Sequence, residues 1–275
     1  MKINSPKYIK KILKNGPVKN LGQNFLIDET IIKKIIDIAE VENSCVLEIG
    51  PGLGALTYKL IERAEKVLAV EKDSNLISEL KKIKASNLEL INTDFLKVDT
   101  SDLFEGDYKV VANLPFNVAT AIIRKLLTKE NPTSITVILQ KEVAERITSK
   151  GDKENFLSIT TKVQGDPEIK GIVPRNCFWP APQVDGAILK IKPLPKKDNF
   201  SYGNFFNVVE AGFRHPRKQL KNNLSQLKLT KKQVVQLLIS LDLNPKIRAE
   251  DLSLNDWKRL TEKYLTLTEK ENKIN

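Results

Sequence analysis

The sequence predicts an α/β fold, a doubly wound parallel sheet, followed by a small all-α domain. Three observations carry that reading. From about residue 44, short apolar runs alternate with longer amphipathic ones, the βαβα rhythm of a sheet covered by helices on both faces. The first apolar run leads directly into a glycine-rich turn within LEIGPGLGALT (47–57). After a polar, proline-containing stretch at 193–204, only helical patterns follow.

Taken in order, CVLEI (45–49) reads as a buried strand, and LGALTYKLIERA (53–64) spaces Leu56, Leu60 and Ile61 as a helix does. KVLAVE (66–71) is the second strand and NLISELKKIK (75–84) the second helix. LELI (88–91) and KVVAN (109–113) are further strands, VATAIIRKLL (118–127) a helix and SITVILQ (134–140) a strand. In VDGAILKIK (184–192), Ala187, Leu189 and Ile191 alternate with other positions, as in an antiparallel edge strand. Helices are expected near 205–214, 217–227, 231–241 and 253–265. The chain therefore divides into a basic arm (1–27), an α/β domain (28–195) and a helical domain (196–275), with no internal repeat.

Composition narrows the function. Hydrophobic residues at 41% and charged residues at 29% suit an ordinary globular protein. No run approaches the ~18 apolar residues of a membrane span, and no secretory leader is evident, so a cytoplasmic protein is expected. Cys45 and Cys177 lie far apart in no metal-ligand spacing, which argues against a zinc site or a disulfide scaffold. The net charge of +11 points to a polyanionic partner or simply to a soluble surface. It is uneven: residues 193–275 carry 16 basic and 9 acidic side chains, and six lysines with no acid precede Asp28. RNA or DNA fits such a distribution.

Gly50, Gly52 and Gly54 occupy alternate positions between a strand and a helix, where the backbone turns sharply and lets a ligand approach. Glu71 ends the next strand, where nucleotide-binding α/β folds place a ribose-binding carboxylate; a strand-end salt bridge would also use it. The spacing E-x-G-x-G from Glu48 differs from the G-x-G-x-x-G of dinucleotide sites. It resembles the first motif of S-adenosylmethionine-dependent methyltransferases, whose cofactor has no phosphate to cradle. In that fold, Asp94 of NTDFL would meet the adenine amino group with Phe95 against the ring, although Asp94 also suits a helix N-cap.

NLPFN (113–117) then gains a chemical reading. An adenine amine is a poor nucleophile because its lone pair is delocalised into the ring. The Asn113 side-chain oxygen and the Leu114 carbonyl are two acceptors for its N–H groups. Pro115 restricts Leu114 to extended backbone, and Phe116 offers a face for the base to stack on. His215, the single histidine, has no evident role.

LGQNFLID (21–28), VLEIGPGLGALT, NTDFL, NLPFN and FWPAPQVDGAIL (178–189), in this order, resemble the ribosomal RNA adenine N6,N6-dimethyltransferases of the KsgA type. QKEVAERI (140–147) and RAEDLS (248–253) are similar too, so the resemblance spans about residues 19–255. It implies a Rossmann-like methyltransferase sheet and S-adenosylmethionine contacts from Asn24, Leu26, Gly50, Glu71, Asp94 and Asn113. It implies catalysis by Asn113, Leu114 and Phe116, with Phe178 lining the target-base pocket opposite Phe116. The alternative for Phe178 is a core aromatic that anchors the proline-rich turn. The implied substrate is two adjacent adenosines in the 3′-terminal hairpin loop of small-subunit rRNA, modified late in 30S assembly by a monomer. Arg217 and Lys218 would face RNA, or form a solvated helix face, and Pro216 before them is positioned to break a helix.

Two departures stand out: Phe116 where the family more often has Tyr, and Gly186 where Ser is expected. The rivals are the related large-subunit adenine methyltransferase of macrolide resistance, a non-catalytic assembly factor and, more distantly, a nicotinamide-dependent oxidoreductase.

Overall fold

The computed structural model describes residues 4–13, 16–100, 103–130, 132–149, 153–196, 198, 200–225, 227 and 229–272. The chain forms two compact units: residues 1–145 with 165–193, and residues 146–164 with 194–275.

The first unit begins with α1 (Pro6–Ile12), β1 (Phe25–Leu26) and α2 (Glu29–Ala39). It continues through β2 (Cys45–Ile49), α3 (Thr57–Ile61), β3 (Lys66–Glu71), α4 (Ser74–Leu80) and β4 (Leu88–Asn92). Then come β5 (Tyr108–Asn113), α5 (Ala119–Thr128) and β6 (Ser134–Gln140). After α6 (Lys141–Thr148) and α7 (Phe156–Lys162), it is completed by β7 (Gly165–Val173), β8 (Phe178–Trp179) and β9 (Gly186–Pro193).

A seven-stranded sheet runs β4–β3–β2–β5–β6–β9–β7. The β4-to-β6 pairings are parallel, and β9 is antiparallel to both neighbours. The interiors of β2, β3 and β6 are continuously buried, because both faces of the sheet are covered, and the polar side chains they hold, Glu48 and Thr136, are buried with them. Strand order reverses between β2 and β5, the place where open α/β sheets leave a crevice beyond their carboxyl ends.

Three sequence expectations need correction. The 184–192 strand is antiparallel but lies inside the sheet; the edge is β7, whose Pro167, charged side chains and bulge between Ile169 and Gly171 suit an edge. The helix expected over 53–64 spans only Thr57–Ile61, because Gly52 and Gly54 take φ of +63° and +91°, incompatible with a helix. Residues 146–164, read as part of the 28–195 domain, group instead with the C-terminal helices. Helix α2, with Ile32, Ile35, Ile36 and Ala39 buried along one stripe behind the Asp28 N-cap, is an element the sequence reading omitted.

The second unit gathers α7 with α8 (Tyr202–Phe213), α9 (Leu220–Leu224), α10 (Lys231–Ile239) and α11 (Leu254–Asn272). Its core surrounds the fully buried Trp257, with Ile159, Phe205, Val209, Leu220, Val234 and Leu238. Trp257 stacks on Phe213 with centroids 5.5 Å apart. A β-carbon added at Gly212 would lie 2.3 Å from Trp257 Cη2, so the indole occupies the space that this glycine leaves. Gly212→Ala should therefore destabilise the second unit by about 2–3 kcal/mol despite alanine's better helix propensity. Urea unfolding followed by Trp fluorescence checks this.

Candidate active site

At the carboxyl ends of β2, β3 and β5 lies a cleft lined by Asn24, Leu26, Gly50, Glu71, Asp94 and Asn113, among others. The sequence reading therefore named six residues, scattered over ninety positions, that share one concavity. Gly50 and Gly52 turn the backbone at φ of +68° and +63°, and the Gly52 N–H donates to Glu71 Oε2 at 3.1 Å.

Three carboxylates contribute, each differently. Glu71 is 7% exposed, and its Oε1 accepts the Asp73 N–H at 2.8 Å. Burial raises its pKa, while the backbone hydrogen bonds from Asp73 and Gly52 pull the other way. Asp94 caps the 3₁₀ turn Phe95–Lys97, its Oδ1 accepting the Leu96 N–H at 3.0 Å. Its Oδ2 accepts from Lys72 Nζ at 2.9 Å, and that bond holds its carboxyl below the ordinary range. Glu48 is 1% exposed and accepts the Thr57 hydroxyl at 2.7 Å. Burial pushes its carboxyl from the ordinary 4.5 up to about 8.

That last shift links to stability. Between the ordinary pKa of 4.5 and the folded pKa of about 8, the unfolded chain has released a proton that the native state keeps. The contribution of protonated Glu48 is thus full below the lower value and is lost as pH rises through the upper one. Glu48→Gln cannot ionise and still offers an oxygen to Thr57. It should match the parent at about pH 4.5 and exceed it by about 2–4 kcal/mol near pH 9. Thermal unfolding across that range reads the difference.

Asn113 ends β5, and its Nδ2 donates to the Asn24 carbonyl at 2.9 Å. A carbonyl can only accept, so this bond fixes the amide orientation and leaves Oδ1 as the end available to a ligand. The Leu114 N–H donates to Ile138 O at 3.0 Å, which clamps the backbone just before Pro115. Among the described residues, no donor is bonded to the Leu114 carbonyl.

Phe116 is half-buried and meets Phe178 edge-on, with centroids 6.2 Å apart and planes at 74°. Phe178 is 2% exposed and belongs to the core cluster that includes Leu26, Val111 and Ile138. In this arrangement it buttresses Phe116 and leaves no base-wide slot between the two rings. Leu26 pairs with Phe178, and Phe25 with Trp179, in a small antiparallel sheet of β1 and β8. LGQNFL, NLPFN and FWPAP thus converge physically, which their separation in sequence does not reveal.

The arm is more structured than its lysines suggest. Ile9 of α1 is buried with Phe25, Leu53 and Leu76 and lines the cleft, whereas Lys7, Lys10 and Lys11 are exposed. Gln23 Nε2 donates to Asp73 Oδ2 at 2.8 Å, joining the arm to the N-cap of α4. Sequence reasoning passed over both residues, although Asp73 before a helix is an N-cap signal. Arg217 and Lys218 belong to the second unit and are exposed in the turn between α8 and α9, not on a helix face. Pro216 sits in that same turn.

A sequence model of the family described as "Ribosomal RNA adenine dimethylase" matches residues 16–266. The chain belongs to the ribosomal RNA adenine dimethylase family. "Ribosomal RNA small subunit methyltransferase A" of Dehalococcoides mccartyi (strain CBDB1) is 40% identical over 256 residues, 90% of this chain and 88% of that protein. The solved dimethyladenosine transferase from Plasmodium falciparum is 27% identical with a TM-score of 0.75, covering 87% of this chain and 96% of the other. The 23S rRNA methyltransferase ErmE is 26% identical with a TM-score of 0.68, covering 87% and 99%.

The chain is accordingly an enzyme with the methyltransferase fold of the ribosomal RNA adenine dimethylases. Its departure at Gly186 has a local reason. A β-carbon there would lie 3.3 Å from Phe178 Cζ, Ile138 Cγ2 and the Leu139 carbonyl. Glycine therefore lets the Phe178 ring settle deep enough to back Phe116.

Proposed function

We propose that this dimethylase uses S-adenosylmethionine to dimethylate the N6 amines of two adjacent adenosines in the 3′-terminal hairpin loop of small-subunit rRNA. It acts as a cytoplasmic monomer, on a nearly assembled 30S subunit. The observation that carries the chemistry is the Asn113 amide, held by Asn24 with its oxygen left for a ligand beside the clamped Leu114 backbone. The choice of the small subunit leans on the D. mccartyi relative, which is named a small-subunit methyltransferase.

The cleft fits the cofactor. It is lined by the carboxylates Glu48, Glu71 and Asp94, and by apolar walls such as Leu26 and Phe95. Among the described lining residues the one basic side chain is Lys72, which is paired with Asp94. With Lys72 paired to Asp94 and Glu48 kept protonated by burial, the described lining offers a pyrophosphate no free cation and leaves Glu71 as an acceptor for a nucleoside's hydroxyls. S-adenosylmethionine, when bound, supplies an electrophilic methyl group on a sulfonium.

The chain's own residues do the rest. Glu71 offers the ribose hydroxyls the carboxylate lone pairs that Gly52 and Asp73 leave free. Asp94 and Phe95 hold the adenine. In the first transfer Asn113 Oδ1 and the Leu114 carbonyl accept from the two N–H groups of the target amine. In the second, one of them accepts from the single N–H that remains, and each time the lone pair is drawn out of the ring and toward the methyl carbon. Phe116 stacks on the target base, which must be unpaired or flipped to reach the site. The basic stretch 205–232, including Arg217 and Lys218, grips phosphates, so binding weakens as salt rises.

Methyl transfer to small subunits lacking these modifications, run beside large subunits and protein-free rRNA, tests the proposal. Transfer confined to small subunits supports it. Transfer to large subunits supports the macrolide-resistance type instead. Tight small-subunit binding without transfer supports an assembly factor.

A further inference from the structure

Lys125 of α5 is not among the cleft's lining residues, yet its ammonium is drawn inward, with a side chain only 10% exposed. Nζ donates to the Phe95 carbonyl at 2.8 Å and to the Val98 carbonyl, and lies 4.7 Å from the centroid of the Phe95 ring. It is also 3.6 Å from Oε1 of Glu130, whose side chain is 4% exposed. Glu130 is held in turn: Oε2 accepts from the Thr100 N–H at 3.3 Å and from the Thr100 hydroxyl, which lies 3.0 Å from Tyr108 OH.

Two of the ammonium's three donors go to the two carbonyls, and the Glu130 carboxylate at 3.6 Å balances its charge as an ion pair. If α5 needed only to pack against this loop, an apolar side chain would do so without desolvating two charges. What the buried pair adds is direction. It fixes two carbonyls and one ring face of the segment following β4, the segment capped by Asp94.

We infer that Lys125 is a positioning residue for the adenine side of the cleft, setting the Asp94–Phe95 pair without touching the ligand. This rests on the reading that Asp94 and Phe95 hold the cofactor's adenine. Lys125→Met then raises KM for S-adenosylmethionine and Kd for S-adenosylhomocysteine about tenfold, while kcat at saturating cofactor stays within about threefold. Lys125→Arg, which keeps the charge and the donors, recovers most of that affinity.

The test is steady-state kinetics and calorimetry on the full-length enzyme, with Asp94→Ala measured alongside. Weak cofactor binding by both Lys125→Met and Asp94→Ala supports the inference. Weak binding by Asp94→Ala with parental binding by Lys125→Met overturns it, even if Lys125→Met melts earlier. Parental binding by Asp94→Ala shows instead that the adenine reading has failed, and the inference falls with it. Should Lys125→Met not fold, Glu130→Gln reads the same network: a several-fold rise in KM supports the role and an unchanged KM overturns it.

Discussion

Asn113→Ala folds, binds S-adenosylhomocysteine within about fivefold of the parent and transfers methyl groups about 10²–10³-fold more slowly. The two effects separate because the amide has two ends. Its nitrogen ties the strand end to the Asn24 carbonyl, a hydrogen bond whose loss costs about 1 kcal/mol and loosens the arm slightly. Its oxygen is the group proposed to polarise the target amine as the nitrogen becomes tetrahedral. That need arises in the transition state, so the penalty falls on kcat. Single-turnover transfer at saturating cofactor measures it, and a rate within threefold of the parent would remove Asn113 from the chemistry.

Glu71→Ala shows the opposite pattern. Cofactor Kd rises about 100-fold, as expected for two hydrogen bonds from ribose hydroxyls to a charged acceptor at about 1.5 kcal/mol each. At saturating cofactor, kcat stays within about threefold, because the ribose contact is the same in ground and transition states. Glu71→Gln should fall between, since its amide keeps one acceptor oxygen and a similar shape. The carboxylate also receives the Gly52 and Asp73 N–H groups, so part of the loss in Glu71→Ala comes from a relaxed glycine turn. Titration calorimetry separates the variants, and an unchanged Kd would take Glu71 away from the ribose.

Much of the α/β fold was legible because its strands are buried on both faces. SITVILQ at 134–140 has no charged residue and a run of β-branched residues from Ile135 to Ile138 at its centre, and it forms β6 over 134–140. The failures have physical causes. Strand β7 carries Gly165, Pro167 and Gly171 and a bulge, features that break an alternating pattern but are tolerated where one side of the strand is unpaired. The 146–164 segment has no composition of its own to mark it, and its allegiance rests on Ile159 and Val163 packing in the Trp257 core.

In the site, motifs fixed which residues meet, because a strand end, a glycine turn and a cap are local events. They did not reveal the direction of the Asn113 amide, the edge-on backing of Phe116 by Phe178, or the burial that keeps Glu48 protonated near neutrality. Those depend on partners that only the fold brings together: Asn24, the β1–β8 ladder, and the buried Thr57. How the lysine-rich arm packs was illegible for a related reason. Charge marks the outer face of α1, while one isoleucine, Ile9, decides where the helix packs.

The most direct test of the central claim is nucleoside mass spectrometry with position mapping, after the enzyme has acted on unmodified small subunits. The account predicts two adjacent N6,N6-dimethyladenosines in the 3′-terminal hairpin loop, absent when Asn113→Ala replaces the parent. Methylation elsewhere, or at those positions with full yield from Asn113→Ala, would contradict it.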